Sequence, residues 1–200
     1  MPKMKVNDIQ IYYQEIGSGE PLVMIMGLGG DLTAWAFQTP VFSQEFRCIV
    51  FDNRGAGRTD HPDTPYTIRM MARDTVSLLD GLGIDRAHVL GLSMGGMIAQ
   101  EIAINEPSRV LSLQLHATLA KPDPYLQAVV ATLVRARATF SKEEFARALL
   151  LWMFAPNTYS ERPQLVELLV APLRISRSEI QTLGRPWPGL GPPNLRAPAQ

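Results

Sequence analysis

Gly91-Leu92-Ser93-Met94-Gly95-Gly96 joins two segments of opposite character. Ahead of it, Ala87-His88-Val89-Leu90 is a short apolar run that predicts a strand. Behind it, residues 97–103 predict a helix, which Pro107 closes. A strand, a serine flanked by glycines and then a helix predict a nucleophile elbow. So tight a turn requires neighbours at ±2 without a Cβ, hence Gly91 and Gly95. Its strain projects the Ser93 hydroxyl out of the backbone at the carboxyl edge of a sheet. The helix behind it directs its N-terminal amides and positive dipole end at negative charge developing there. The bare Gly-x-Ser-x-Gly pattern arises by composition in roughly one chain of this length in fifteen, so its setting carries the reading.

On either side of this stretch the chain alternates. Residues 22–26, 46–51 and 110–115 are mainly apolar runs, as parallel strands buried on both faces require. Residues 4–8 and 9–15 predict a hairpin turning at Asn7-Asp8. Between the runs lie helical patterns. The clearest has Met71, Thr75, Leu78, Leu79 and Leu82 on one face, Thr67 as N-cap and Gly83 past its end. Strand-helix alternation predicts an α/β fold, a doubly wound, mostly parallel sheet with right-handed crossovers.

The first apolar run enters Gly27-Leu28-Gly29-Gly30-Asp31. A dinucleotide fingerprint from Gly27 needs glycine at 32 and meets Leu32, and no Gly-Lys-Ser/Thr phosphate loop is present. The loop is read instead as lending a backbone N–H to an oxyanion hole. Asp52-Asn53-Arg54-Gly55-Ala56-Gly57 follows the next strand. Its Asp at a strand end, with an Arg two residues on, is read as tying loops together.

These three segments stand in the order and spacing of the α/β-hydrolases, and they most resemble the small esterase and enol-lactonase branch. The resemblance is strong over residues 4–120 and weak beyond. It implies Ser93 as nucleophile, the backbone N–H groups of Met94 and Leu28 as oxyanion donors, and hydrolysis of a small apolar ester or lactone with no cofactor and no metal. Met26 departs from the pattern, since many members carry His before the glycine. Serine at the elbow argues against a haloalkane dehalogenase.

Composition sets the class. Nineteen Lys and Arg balance nineteen Asp and Glu, so charge gives no argument for nucleic acid or an anionic membrane. The single cysteine, Cys48, excludes a disulfide framework and a cysteine metal site. There is no long apolar N-terminal segment and no run of apolar residues long enough for a membrane span. A soluble, cytoplasmic protein is expected.

Three regions are expected: a core over 1–120, a helical cap over 121–183 and an irregular Pro- and Gly-rich tail over 184–200. Helices are predicted at 125–140, 142–154 and 162–174, separated by Ser141 and by Pro156-Asn157-Thr158. Ser141-Lys142-Glu143-Glu144 reads as a capping box. The resemblance makes this region a cap over Ser93. Trp35, Trp152 and Phe154 are candidates for an apolar acyl pocket, with Phe145, Leu149 and Met153, although helix-to-helix packing is the expected role for most.

An elbow serine needs a base, and the base needs an orienting carboxylate. The three histidines are His61, His88 and His116, and none follows residue 116. His88 is expected at the wrong edge of the sheet and His61 on the surface. His116, ending the strand after the elbow helix, is the one candidate near Ser93. In the family the acid and the histidine come from two further strands past the cap. The expectation is therefore a hydrolase by lineage whose last strands are missing and which is inactive in this form. The alternative is a non-catalytic small-molecule or protein binding module. Residues 110–115 should then form an exposed apolar sheet edge through which the chain self-associates.

Overall fold

The computed structural model describes residues 3–121 and 123–170, together with 173, 175, 180 and 182. Strands β1 (Lys3–Val6) and β2 (Ile9–Ile16) form the expected hairpin. Val6 pairs with Ile9, and Asn7 turns the chain at φ 52°, a conformation asparagine tolerates well. β3 (Glu20–Ile25), β4 (Phe46–Phe51), β5 (Ala87–Leu92) and β6 (Val110–His116) follow. They build one sheet of order β1-β2-β4-β3-β5-β6. β4, β3, β5 and β6 are parallel; β2 alone runs against them, and β1, antiparallel to β2, points their way again. This is the mostly parallel sheet that the apolar runs predict.

Residues alternate between the two faces of the sheet. Val23, Ile25, Ile49 and Val89 pack against helices α2 (Ile68–Gly81) and α3 (Met94–Asn105). Leu22, Met24, Cys48, Val50 and Leu90 pack on the opposite side with Leu32 and Trp35 of a short 3-10 turn, which α1 (Thr39–Phe42) follows. The ends of α2 lie where the sequence puts them. Thr67 Oγ1 accepts from Met70 N at 3.0 Å, and Gly83 follows the helix at φ 68°.

The Arg54 side chain is only 1% exposed and lies between two carboxylates. Its Nε donates to Asp74 at 2.8 Å, and Nη2 donates to Asp8 at 2.7 Å. Asn7 Nδ2 donates to the same Asp74 at 2.8 Å. The hairpin turn, the loop after β4 and helix α2 are thus fastened at one buried guanidinium, the tying role expected of that loop.

After β6 the chain turns helical: α4 (Pro124–Thr139), α5 (Lys142–Met153), α6 (Pro156–Glu161) and α7 (Pro163–Val170). The capping box of α5 is complete, with Glu144 N donating to Ser141 Oγ and Ser141 N donating to Glu144. One detail departs from expectation. Pro156-Asn157-Thr158, read as a break, opens α6, because proline's fixed φ suits a first helical position that needs no N–H. No helix among the described residues is long and apolar enough to cross a membrane. The tail at 184–200 lies outside the described residues.

Candidate active site

Strand β5 ends at Leu92 and α3 begins at Met94, which leaves Ser93 alone at the junction with φ 54° and ψ −118°. A non-glycine residue held there carries strain on the order of 1–3 kcal/mol, so its surroundings must enforce it. They do so from three sides. Ser93 N donates to His116 O at 2.9 Å, Gly96 N donates to Ser93 O at 2.9 Å, and Thr118 Oγ1 donates to the same oxygen at 2.8 Å.

The glycines are required by close approach. A Cβ on Gly91 would strike the Gly95 carbonyl, and one on Gly95 would strike the Ile25 carbonyl. On Gly27 it would come within 3.0 Å of Ser93 Cβ, which places the loop after β3 directly beside the serine. The side chain of Ser93 is exposed and does not cap α3. Among the described residues its Oγ has no hydrogen-bond partner.

The two expected oxyanion donors flank this position. Met94 is buried and is the first residue of α3, where the helical ladder leaves the N–H unclaimed. Leu28 sits in the tight turn that Gly30 N closes on Gly27 O at 3.4 Å, with Gly29 at φ 69°. The loop after β4 anchors that turn. Asp52 Oδ1 accepts from Leu32 N at 2.7 Å, Asp52 Oδ2 accepts from Arg58 N at 2.7 Å, and Asn53 Nδ2 donates to Met26 O at 2.8 Å. Burial pushes the Asp52 carboxyl up, against the pull of those backbone N–H groups, and the nearby Asp31 charge adds to the rise. From above, Leu28 packs on the cluster of Leu133, Phe145, Ile175 and Ile180. The helical region therefore reaches the turn beside Ser93.

None of the histidine rings is hydrogen-bonded to Ser93 among the described residues. His88 lies at the start of β5, the far end of the strand, with Nδ1 2.7 Å from Ser112 Oγ and Nε2 3.3 Å from Glu20. His61 Nε2 lies 3.2 Å from Gly57 O in an exposed loop. His116 pairs with Leu92 at the carboxyl edge and is exposed. It touches the elbow through its backbone oxygen.

The acyl-pocket candidates separate. Trp35 is a core residue, 5% exposed among Tyr12, Leu22, Met24 and Cys48. Phe154 packs between helices with Ala146, Leu150, Val166 and Val170. Trp152 is 58% exposed, its ring tilted against Tyr125 at 6.4 Å. Packing thus takes Trp35 and Phe154, and only Trp152 offers an open aromatic face. Sequence reasoning missed the brace formed by Thr118 and by Gln100, whose Nε2 donates to Gly96 O and Leu119 O, each at 3.1 Å. The one signal available was the spacing of Gln100, one helical turn beyond Gly96.

A strained serine at a strand-helix junction, braced by glycines and flanked by helix-end and loop amides, defines a class. The family model for the alpha/beta hydrolase fold matches residues 20–163, and the chain belongs to that family. It is 31% identical over 167 residues to a protein of Azorhizobium caulinodans named carbamate hydrolase RutD, covering 84% of this chain and 63% of that one. It is 38% identical over 161 residues to a Mycobacterium tuberculosis protein named non-heme bromoperoxidase BpoC, covering 80% and 56%. The enol-lactonase of Burkholderia xenovorans LB400 shares the fold at a TM-score of 0.80 and 27% identity, over 92% of this chain and 72% of that structure. The chain spans less than two thirds of the length of either curated relative. By lineage it is a hydrolase.

Proposed function

We propose that Ser93 is the nucleophile of an acyl-transfer site for a small apolar carboxylic ester or lactone. The observation that carries this is the strained Ser93 backbone, with an exposed hydroxyl that neither caps α3 nor bonds another described residue. Fold and lineage narrow the reaction class, and the likeness to an enol-lactonase favours esters and lactones among acyl substrates. In the proposed reaction Ser93 Oγ attacks the carbonyl carbon as a base takes its proton, and the tetrahedral oxyanion receives the Leu28 and Met94 N–H groups. The acyl C–O bond then breaks as that proton passes to the alkoxide, which departs from an ester and stays tethered in a lactone. Water then releases the acid from the acyl-enzyme. The region after β6 serves as the cap, with Trp152 as its apolar contact.

The 200 residues on their own are proposed to be inactive. Ser93 needs a base to take its proton, but both ring nitrogens of His88 have partners at the far end of β5, and His61 Nε2 lies against Gly57 O in another loop. His116 has no orienting carboxylate on its ring among the described residues. In other serine hydrolases, removing triad members leaves on the order of 10³–10⁴-fold catalysis over water. Here at most that residue is expected. The test is hydrolysis of p-nitrophenyl acetate by the unmodified chain beside Ser93→Ala and His116→Ala. Turnover barely above buffer in all three supports the proposal. Ser93-dependent turnover that His116→Ala removes contradicts the inactivity and makes His116 the base.

A further inference from the structure

Helices α2 and α3 pack side by side on one face of the sheet, and a cavity of about 250 Å³ opens between them. Ala72 and Val76 of α2 and Ile102 of α3, all buried, give it an apolar floor. Arg69 and Arg73 share the α2 face that carries Ala72 and Val76, and both stand exposed at the rim. Glu101 closes the α3 side, about two turns along the helix from Ser93, so the cavity is separate from the elbow.

One group in this wall lacks a partner. Glu101 is 3% exposed, and its Oε2 is buried with no hydrogen-bond donor among the described residues. Its Oε1 lies 3.9 Å from Arg69 Nε, beyond hydrogen-bond range. Buried polar atoms are almost always paired, because burial strips them of water. Asn105, on the same wall, turns its Nδ2 to the Glu101 main-chain oxygen at 2.8 Å instead. The Arg73 guanidinium has no hydrogen bond or ion pair among the described residues. A buried acceptor without a donor thus faces an open cavity with an unengaged cation at its rim.

We propose that this cavity binds a small zwitterion, an aliphatic α-amino acid. Its ammonium donates to Glu101 Oε2, its carboxylate meets Arg69 and Arg73, and its side chain covers Val76 and Ile102. Charge selects the zwitterion, because the lining holds two arginines and two carboxylates, Glu101 and Glu106. A bare carboxylate would set a second anion beside Glu101 and leave Oε2 without a donor. A bare amine would enter beside two cations and bring no anion to offset them. The α arrangement follows from spacing. An Arg69 nitrogen and a Glu101 oxygen only 3.9 Å apart are matched by an ammonium and a carboxylate on one carbon. The volume, just below the range of about 300–1,000 Å³ that holds drug-sized ligands, limits the side chain to a few carbons.

The test is an NMR titration of the full 200-residue chain with L-leucine up to about 10 mM, a range suited to the modest affinity that so few atoms provide. Saturable shifts are expected at the amides of Ala72, Val76 and Ile102. Isopentylamine, which lacks the carboxylate, and isocaproate, which lacks the amine, should each bind at least about tenfold more weakly. Glu101→Gln keeps the side-chain shape without the charge and should weaken leucine by about tenfold or more, with unchanged circular dichroism. Arg73→Gln, at an exposed position, should weaken it about threefold and keeps the test decisive where Glu101→Gln fails to fold. No saturable shift, or shifts confined to residues away from the cavity, would overturn the proposal. So would an analogue that binds as tightly as leucine, or a folded variant of either residue that binds leucine unchanged.

Discussion

At Gly95 there is no room for a methyl group, since a Cβ would lie on the Ile25 carbonyl, which belongs to a central strand and cannot retreat. Gly95→Ala should therefore cost about 3 kcal/mol in denaturant unfolding, in the range of severe packing defects. Gly83→Ala tests a different term, because φ is 68° there but nothing lies within 4 Å of the added carbon. Its cost should be only about 1 kcal/mol, the price of the left-handed backbone. Arg54→Ala leaves Asp74 buried without its cation and should cost about 3–5 kcal/mol, whereas the exposed partner Asp8 can be lost for less than about 1 kcal/mol. Asp52 gives a pH signature. Burial raises its folded pKa above the ordinary value of 3.8, so its neutral form is favoured in the fold. Its contribution is greatest below that value and is lost as pH rises through the folded pKa. Stability of the native chain relative to Asp52→Asn should accordingly decline from about pH 3.8 upward and then level off, as followed by thermal melting across pH. The turn built by Gly91, Ser93 and Gly95 was legible because a tight strand-helix junction tolerates few residue types. The brace of Thr118 and Gln100 was not, since contacts between residues distant along the chain leave no local pattern.

The elements were legible where a periodic pattern ended in a cap. α2 begins at its Thr67 cap and α5 at its Ser141 box because each side-chain oxygen satisfies an N–H that the helix cannot. Ser141→Ala should cost about 1 kcal/mol and leave the sheet intact, which amide exchange would show as faster opening confined to α5 and its neighbours. β3, β4 and β5 were legible as well, because burial on both faces leaves them mostly apolar. The break expected at residues 156–158 was the weak point: the same proline that ends one helix starts another, and sequence alone gives both readings equal standing. Trp35 shows the same limit from the side of packing. An aromatic residue in a glycine-rich neighbourhood reads as a pocket wall, and only the sheet face beneath it reveals a core position.

The whole molecule joins a complete elbow to a sheet whose last described strand is β6. Its fold class was readable from the alternation of strands and helices, while its substrate was not, because acyl specificity resides in the shape of a pocket that no short motif encodes. The central claim is that Ser93 is a hydrolase nucleophile awaiting a base. The most direct test is a chimera in which the strands bearing the acid and the histidine of a related hydrolase follow the helical region, treated with a fluorophosphonate and digested for mass spectrometry. The account predicts a single adduct on the peptide containing Ser93, ester turnover that appears with it, and loss of both in Ser93→Ala. An adduct on another residue, or turnover that survives Ser93→Ala, would contradict it.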